Sequence, residues 1–130
     1  MKRALFVIVL AAGSLWAGSP FAGRWQGKLE DLPGATLTVK EGHGRLSGAI
    51  IFYRIRKDGK GARIDGDAKC ELLEVAAQDR RMTFEVKHHV SDGSPEYGPN
   101  AKFVFELTAK NEAILRNVSE GLSMRMLRER

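Results

Sequence analysis

Cysteine is almost absent from this chain of 130 residues, and aromatic residues make up only 8% of it. Cys70 is the single cysteine, so no intramolecular disulfide can form and the fold must depend on an apolar core. Long hydrophobic runs are also missing, because the apolar run over residues 4–12 is well short of the about 20 residues that a membrane-spanning helix needs. One domain with one core is expected.

Motifs that carry catalysis are missing too. The sequence contains no Gly-x-Ser-x-Gly elbow, no His-Glu-x-x-His pair and no phosphate-binding glycine loop. His88 and His89 are adjacent, and successive side chains of a strand point to opposite faces, so the two cannot hold one metal ion together. We therefore predict no enzyme activity, no metal site and no cofactor.

The first residues are typical of a secretory signal. Lys2 and Arg3 precede the apolar run, and small residues follow it around Gly13, Ala17 and Gly18. This layout predicts a signal peptide over residues 1–17 and a mature domain over residues 18–130, secreted or periplasmic. A cut near Gly13 and a retained membrane helix are the alternatives.

The positive charge of the chain is modest once this segment is set aside. Basic residues number 21 and acidic residues 16, and without Lys2 and Arg3 the basic count is 19, which leaves a formal charge of +3. Most basic residues lie among acidic ones, except around Arg54, Arg56 and Lys57 and over residues 125–130. A solvated surface explains this distribution better than a nucleic-acid groove, so no nucleic acid is predicted as a partner.

Apolar and polar residues alternate with a period of two through most of the chain after residue 20, and glycine-rich turns interrupt the pattern at short intervals. This pattern predicts about eight short strands joined by tight hairpins. Short connections favour neighbouring strands, and nearly every strand has one apolar face. A single sheet would leave that face wet unless it curled shut, so we predict an all-β fold, a single antiparallel up-and-down barrel of about eight strands. A two-sheet sandwich is the alternative.

Some expectations concern particular positions. Asp65 and Gly66 are interpreted as a turn around a short or irregular strand, before the apolar pattern resumes at Cys70. Alternation places Leu73 and Val75 on the inner face of the strand that follows. The same alternation places Leu122, Met124 and Met126 together on the inner face of the last strand.

The motif Gly23-Arg24-Trp25 resembles the opening of the first strand in the calycin superfamily, whose lipocalin members begin with Gly-x-Trp. The resemblance implies a lipocalin-like barrel. In lipocalins an arginine from the end of the barrel packs against the tryptophan of this motif. Arg116 and Arg125 are both candidates for that role, and the sequence does not choose between them.

The stretch from Phe21 to Ala49 also looks like the start of an avidin-type barrel. Such barrels surround biotin with several tryptophans, whereas Trp25 is the only tryptophan after residue 17. Ile50 also stands where an avidin-type barrel would have a tyrosine. Biotin is therefore not the expected ligand.

An eight-stranded barrel is just wide enough to be filled by side chains or to hold one small ligand. We predict a binding protein for a small apolar or amphipathic ligand, which the following residues contact: Phe52, Phe84, His88, Tyr97, Phe103, Phe105 and Met124. The alternative is a protein-binding module, such as a small barrel protease inhibitor, that contacts an exported protein partner. It would act through its N-terminus, over residues 18–22, or through the long loop over residues 91–100.

Overall fold

The computed structural model describes residues 19–29, 32–87 and 100–129. Within these ranges the chain forms nine antiparallel strands in one sheet and contains no α-helix, so the prediction of an all-β fold is confirmed. The strands in chain order are β1 (Gly23–Leu29), β2 (Leu32–Gly42), β3 (Arg45–Asp58), β4 (Gly61–Glu71), β5 (Leu73–Gln78), β6 (Arg81–Val86), β7 (Ala101–Ala109), β8 (Glu112–Asn117) and β9 (Leu122–Arg128).

The order of the strands is β4-β3-β2-β1-β9-β8-β7-β6-β5. The last strand therefore pairs with the first, with Met126 opposite Gly27 and Arg128 opposite Trp25. Strands β3 and β7 are separated by four others, yet the rings of Phe52 and Phe103 stack with their centroids 5.6 Å apart. The sheet is thus curled like a barrel, and its inner surfaces face each other.

The two ends of the curled sheet differ in what they contain. One end, which we call the lower end, holds the turns at His43–Gly44, Asp79–Arg80 and Lys110–Asn111. Residues 19–22 lead into β1 at this end. The upper end holds the turn at Gly59–Lys60, the turn over residues 118–121 and the two residues, Lys87 and Asn100, that flank the connection between β6 and β7.

The core lies on the inner face because apolar side chains recur at every second position. In β2 the buried side chains Leu37 and Val39 alternate with polar ones, and β6 repeats the pattern with Met82, Phe84 and Val86. The largest side chains with no more than 1% exposure are Trp25, Leu37, Ile50, Met82, Phe84, Phe105 and Met126. Alternation in the sequence therefore predicted most of this core.

The interpretation of Asp65 and Gly66 as a turn is wrong. Strand β4 runs without a break from Gly61 to Glu71. Arg54 of β3 lies opposite Gly66 and Ile55 lies opposite Ile64, so Asp65 is a bulge with no residue opposite it in the register. Gly66 has φ +153°, which a bulge tolerates because glycine has no Cβ. The interruption falls instead at Leu72, which separates β4 from β5 and gives nine strands where about eight were predicted.

Burial departs from the predicted alternation at two further places. Leu72 is buried in phase with Cys70, while Leu73 and Val75 are only half-buried. The register between β5 and β6 then shifts between Leu73 and Ala76, where Glu74 has φ +50°. Leu122 shares the inner face with Met124 and Met126, as predicted, but it is 64% exposed because it directly follows the turn at the upper end.

Candidate ligand site at the upper end of the sheet

Trp25 forms the floor of the curled sheet near its lower end. Its ring meets that of Phe105 edge-on, with the centroids 4.9 Å apart, and Phe105 in turn contacts Phe21 at 6.3 Å. The indole Nε1 of Trp25 donates a hydrogen bond of 3.0 Å to the carbonyl oxygen of Phe21, so the polar atom of this fully buried side chain is paired. These three aromatic side chains close the lower end with tightly packed apolar groups.

Arg128 packs against Trp25 from the end of β9, and neither Arg116 nor Arg125 does so. The guanidinium carbon of Arg128 lies 4.2 Å from the centroid of the indole ring. Arg125 instead pairs with Glu112 on the surface, and the side chain of Arg116 is exposed. Both candidates were wrong because alternation turns Arg116 of β8 and Arg125 of β9 to the outer face, whereas the register places Arg128 directly opposite Trp25.

The guanidinium of Arg128 also caps backbone carbonyl groups. Its Nη2 donates to the carbonyl oxygens of Pro20 at 2.7 Å and Lys110 at 3.1 Å, and its Nη1 donates to that of Ala22. Burial lowers the pKa of this guanidinium, which nevertheless stays protonated at every physiological pH. One side chain thus joins the first strand, the last strand and the turn between β7 and β8.

The geometry of Arg128 explains why residue 23 is glycine. A Cβ at this position would lie 2.8 Å from Nη1 of Arg128. The backbone also has φ +133°, which residues other than glycine rarely adopt. Gly23 therefore lets the guanidinium cross the start of β1 and reach the indole ring. The Gly-x-Trp motif and Arg128 form one structural unit.

Phenylalanine rings stack above this floor. Phe103 stacks on Phe84 with the centroids 5.3 Å apart and the planes at 9°, and on Phe52 at 5.6 Å and 28°. Phe84 and Phe103 are buried, whereas Phe52 is half-buried. The structure therefore brings together three of the residues that the sequence assigned to the ligand, on the wall of the curled sheet.

The other predicted contacts are distributed differently. Phe105 is fully buried in the floor, and Met124 is half-buried on the inner face beside Gly27, where a Cβ would meet the Met124 sulfur at 2.3 Å. His88 and Tyr97 lie outside the described residues, as does the loop over residues 91–100 apart from Asn100. Sequence reasoning missed Ala68, which is exposed opposite Phe52, because an alanine in a polar stretch gives no signal.

Polar groups occur near the upper rim of this region. Arg54 follows Phe52 by two positions, so it lies on the same face of β3. Its Nη2 donates to the carbonyl oxygen of Asp65 at 3.1 Å and lies 3.6 Å from the Asp65 carboxylate. The region thus combines an apolar wall with a charged guanidinium group at its edge.

Grooves on the outer face are bordered by many polar and charged residues, and their linings contain none of the stacked phenylalanines. One of about 670 Å³ crosses β1 to β4 and is lined by Arg24, Lys40, Ser47, Lys69 and Glu71, among others. Another lies at the hairpin of β5 and β6. Among the described residues, no cluster of three or more His, Cys, Asp or Glu side chains could hold a metal ion.

The start of the described chain is anchored to the fold. The backbone N–H of Ser19 donates to the Glu41 carboxylate at 2.8 Å, and Phe21 is buried in the floor. Arg128 binds the carbonyl oxygens of Pro20 and Ala22. Residues 19–22 therefore lie against the sheet, which does not favour their insertion into a protein partner.

Comparison with family models, with curated proteins and with solved structures finds no match to this chain. Among the described residues, no helix has the length and apolar character needed to cross a bilayer.

Proposed function

We propose that this chain is an exported, non-enzymatic protein that binds a small apolar or amphipathic ligand on the inner face of the upper part of its curled sheet. One observation carries the proposal: above the floor, the inner-face side chains of β3, β4 and β9 become more exposed toward the upper end. Trp25 and Phe105 in the floor are fully buried, whereas Phe52 and Met124 are half-buried and Ala68 is exposed. An apolar surface that remains open at one end of a closed core is suited to an apolar guest.

The strand connectivity supports a closed barrel around this site. Only Leu72 separates β4 from β5, and its N–H donates to the carbonyl oxygen of Gly48 in β3 at 3.0 Å. If β4 and β5 are taken as one bent strand, its first half pairs with β3 and its second half with β6. The nine described strands then become the eight of a lipocalin-like barrel, and the two sheet edges belong to the same strand.

The contact between Trp25 and Arg128 supports the calycin resemblance. In that superfamily an arginine from the end of the barrel packs on the tryptophan of the Gly-x-Trp motif, and Arg128 occupies this place here. The resemblance implies a barrel in which Trp25 is buried near one end. The difference in burial between the two ends agrees with this arrangement.

The side chains at the site indicate the chemistry of the guest. Stacked phenylalanines and the flexible thioether of Met124 adapt to apolar chains or rings of different shapes. Arg54, two positions above Phe52, lies where it can pair with a carboxylate at the head of such a guest. A long-chain carboxylic acid has both features, so it is the ligand class we would test first.

A substitution that fills the open part of the inner face tests the proposal. Ala68→Trp places a large ring opposite Phe52 and should abolish uptake of a fluorescent long-chain fatty acid, while the thermal unfolding midpoint changes little because residue 68 is exposed. Ser47→Trp, at an exposed position of the outer face of β3, is the matched control and should bind like the parent.

Calorimetric titration of the parent with the same fatty acid should show a negative heat-capacity change, because apolar surface is buried on binding. Absence of uptake by the parent, or equal uptake by the parent and the Ala68→Trp protein, would contradict the proposal.

A further inference from the structure

The hairpin of β3 and β4 extends past the rest of the sheet at the upper end. The last pair between β2 and β3 is Ala35 with Phe52, and beyond it the described registers pair residues 54–58 only with residues 61–66. Five residues of strand at about 3.4 Å each make this two-stranded ribbon roughly 17 Å long. We call the segment over residues 54–66 the ribbon.

The ribbon holds the excess positive charge of the chain. It contains five basic residues, Arg54, Arg56, Lys57, Lys60 and Arg63, and two acidic ones, Asp58 and Asp65. Outside the ribbon, residues 18–130 contain fourteen basic and fourteen acidic residues, which balance. The ribbon itself therefore has a formal charge of +3, whereas the rest of residues 18–130 is neutral. The turn over residues 118–121, at the same end, contains the acidic Glu120.

The internal ion pairs of the ribbon leave this excess in place. Asp65 lies 2.9 Å from Arg56 and 3.6 Å from Arg54, and Asp58 lies 3.2 Å from Arg63. Two carboxylates thus pair with three guanidinium groups. All three of these arginine side chains are more than half exposed. Solvent-exposed cations of this kind attract anionic surfaces over about one Debye length, roughly 8 to 10 Å.

Apolar side chains are exposed at the same end. Val118, in the turn between β8 and β9, is 54% exposed, and Leu122, at the start of β9, is 64% exposed. Ile64, in the ribbon itself, is 41% exposed. Among the described residues one further large apolar side chain is comparably exposed, Leu127, and it lies near the lower end of β9. A nucleic acid would need the cations alone, whereas apolar groups beside cations fit the interface of an anionic bilayer.

We propose that the upper end, through the ribbon together with Val118 and Leu122, docks on anionic lipid surfaces. The basic side chains contact the headgroups and the apolar ones enter the boundary with the acyl chains. This inference goes beyond the proposed function. Where that function holds, docking places the open end of the ligand site against the membrane from which an apolar guest would come.

The test is sedimentation of the exported protein, with its N-terminus identified by sequencing, with vesicles of phosphatidylcholine containing about one third phosphatidylglycerol. Removing two charges with Lys60→Gln and Arg63→Gln should weaken binding roughly 30-fold, at about a factor of five per basic residue. The double variant Lys40→Gln and Arg45→Gln removes the same charge from the exposed hairpin at the lower end and should change binding less than about twofold.

A second pair of variants, one at each end of β9, tests the apolar part of the contact. Leu122→Ser should weaken vesicle binding severalfold, and Leu127→Ser, at the opposite end of β9, should not. Because both positions are exposed, both variants should keep the unfolding midpoint of the parent.

Several outcomes would overturn the inference. They are equal binding to vesicles of pure phosphatidylcholine, equal losses in the upper-end and lower-end variants, and binding of a single-stranded oligonucleotide without binding of vesicles, which would assign the ribbon to nucleic acid. Fatty-acid uptake is measured separately without vesicles. Loss of docking with normal uptake, or the reverse, thus separates this inference from the proposed function.

Discussion

Arg128 connects parts of the chain that are far apart in sequence. Its guanidinium lies over Trp25 and donates hydrogen bonds to the carbonyl oxygens of Pro20, Ala22 and Lys110. Cation–π contacts contribute more when they are shielded from water, and carbonyl groups left without a donor after burial cost free energy. The residue therefore stabilises the lower end both by its own contacts and by pairing backbone oxygens.

Replacing the side chain of Arg128 should destabilise the protein strongly, although this residue lies near the end of the chain. Arg128→Ala removes the cation over Trp25 and several charge-assisted hydrogen bonds, so we expect a loss of about 2 to 3 kcal/mol in the free energy of unfolding. Urea denaturation followed by the fluorescence of Trp25 would measure it.

Arg125→Ala is the control for the loss of an arginine from the same strand. Arg125 pairs with Glu112 on the surface, where an ion pair contributes at most about 1 kcal/mol. Similar midpoints for the Arg128→Ala and Arg125→Ala proteins would show that the contact with Trp25 does not stabilise the fold.

At the scale of elements, the hairpin of β8 and β9 is joined by a bidentate ion pair. Arg125 donates from Nε and Nη2 to the two carboxylate oxygens of Glu112, at 2.9 and 3.0 Å. The hydrogen bonds from Arg125 lower the pKa of the Glu112 carboxyl and raise that of the guanidinium. The two residues lie on neighbouring strands, so the pair supports the register of the hairpin.

This pair should make the stability of the hairpin depend on pH. A carboxyl whose pKa is lowered by folding stabilises the folded state above its unfolded pKa, near the ordinary value of 4.5, and the contribution is lost as pH falls through the folded pKa. Between about pH 6 and about pH 3 the parent should therefore lose more stability than a Glu112→Gln variant. Thermal unfolding of both proteins at each pH measures the difference, and parallel losses would show that the pair contributes nothing.

The segment over residues 61–78 shows why the limits of strands were harder to predict than the apolar positions within them. Alternation identified the apolar residues, but it could not show that Asp65 and Glu74 are bulges, since both are ordinary polar residues in polar surroundings. A bulge shifts every later side chain to the other face, whereas Leu72, which precedes the bulge at Glu74, is buried because it lies on the same face as Cys70. The bend at Leu72 depends on its hydrogen bond to Gly48, a partner 24 positions away in the sequence.

At the scale of the whole molecule, the gradient of burial implies a gradient of stability. The lower half contains the fully buried Trp25, Leu37, Ile50 and Phe105, whereas the upper half ends in a ribbon of mostly exposed residues. Segments with few buried apolar contacts open with less free energy than the core. The upper end should therefore be the more easily opened part of the protein.

Hydrogen exchange should reveal this difference. Amide protons of β1 and β2 near Trp25 and Leu37 should exchange slowest, near the rate set by global unfolding, and those of residues 54–64 fastest. Added fatty acid should slow exchange around Phe52 and Phe103 more than around Trp25. Uniform protection along β3 would contradict the gradient.

The stacked phenylalanines illustrate how far the site was predictable. The positions of Phe52, Phe84 and Phe103 on inner faces followed from alternation within each strand, because the side chains of a strand alternate with a period of two. Their stacking across β3, β6 and β7 required the curl of the sheet, which brings strands together that are not neighbours. The ligand itself stays a prediction.

The sequence by itself determined the fold class and most of the buried side chains, since these depend on local alternation and on glycine turns. Only the tertiary structure decided that Arg128 packs on Trp25, that the strand over residues 61–78 bends at Leu72, and that the basic ribbon lies at the same end as the exposed Val118 and Leu122. Each of these depends on the register between strands distant in sequence. Register follows from the packing of the whole sheet and from its bulges, and no local pattern records it.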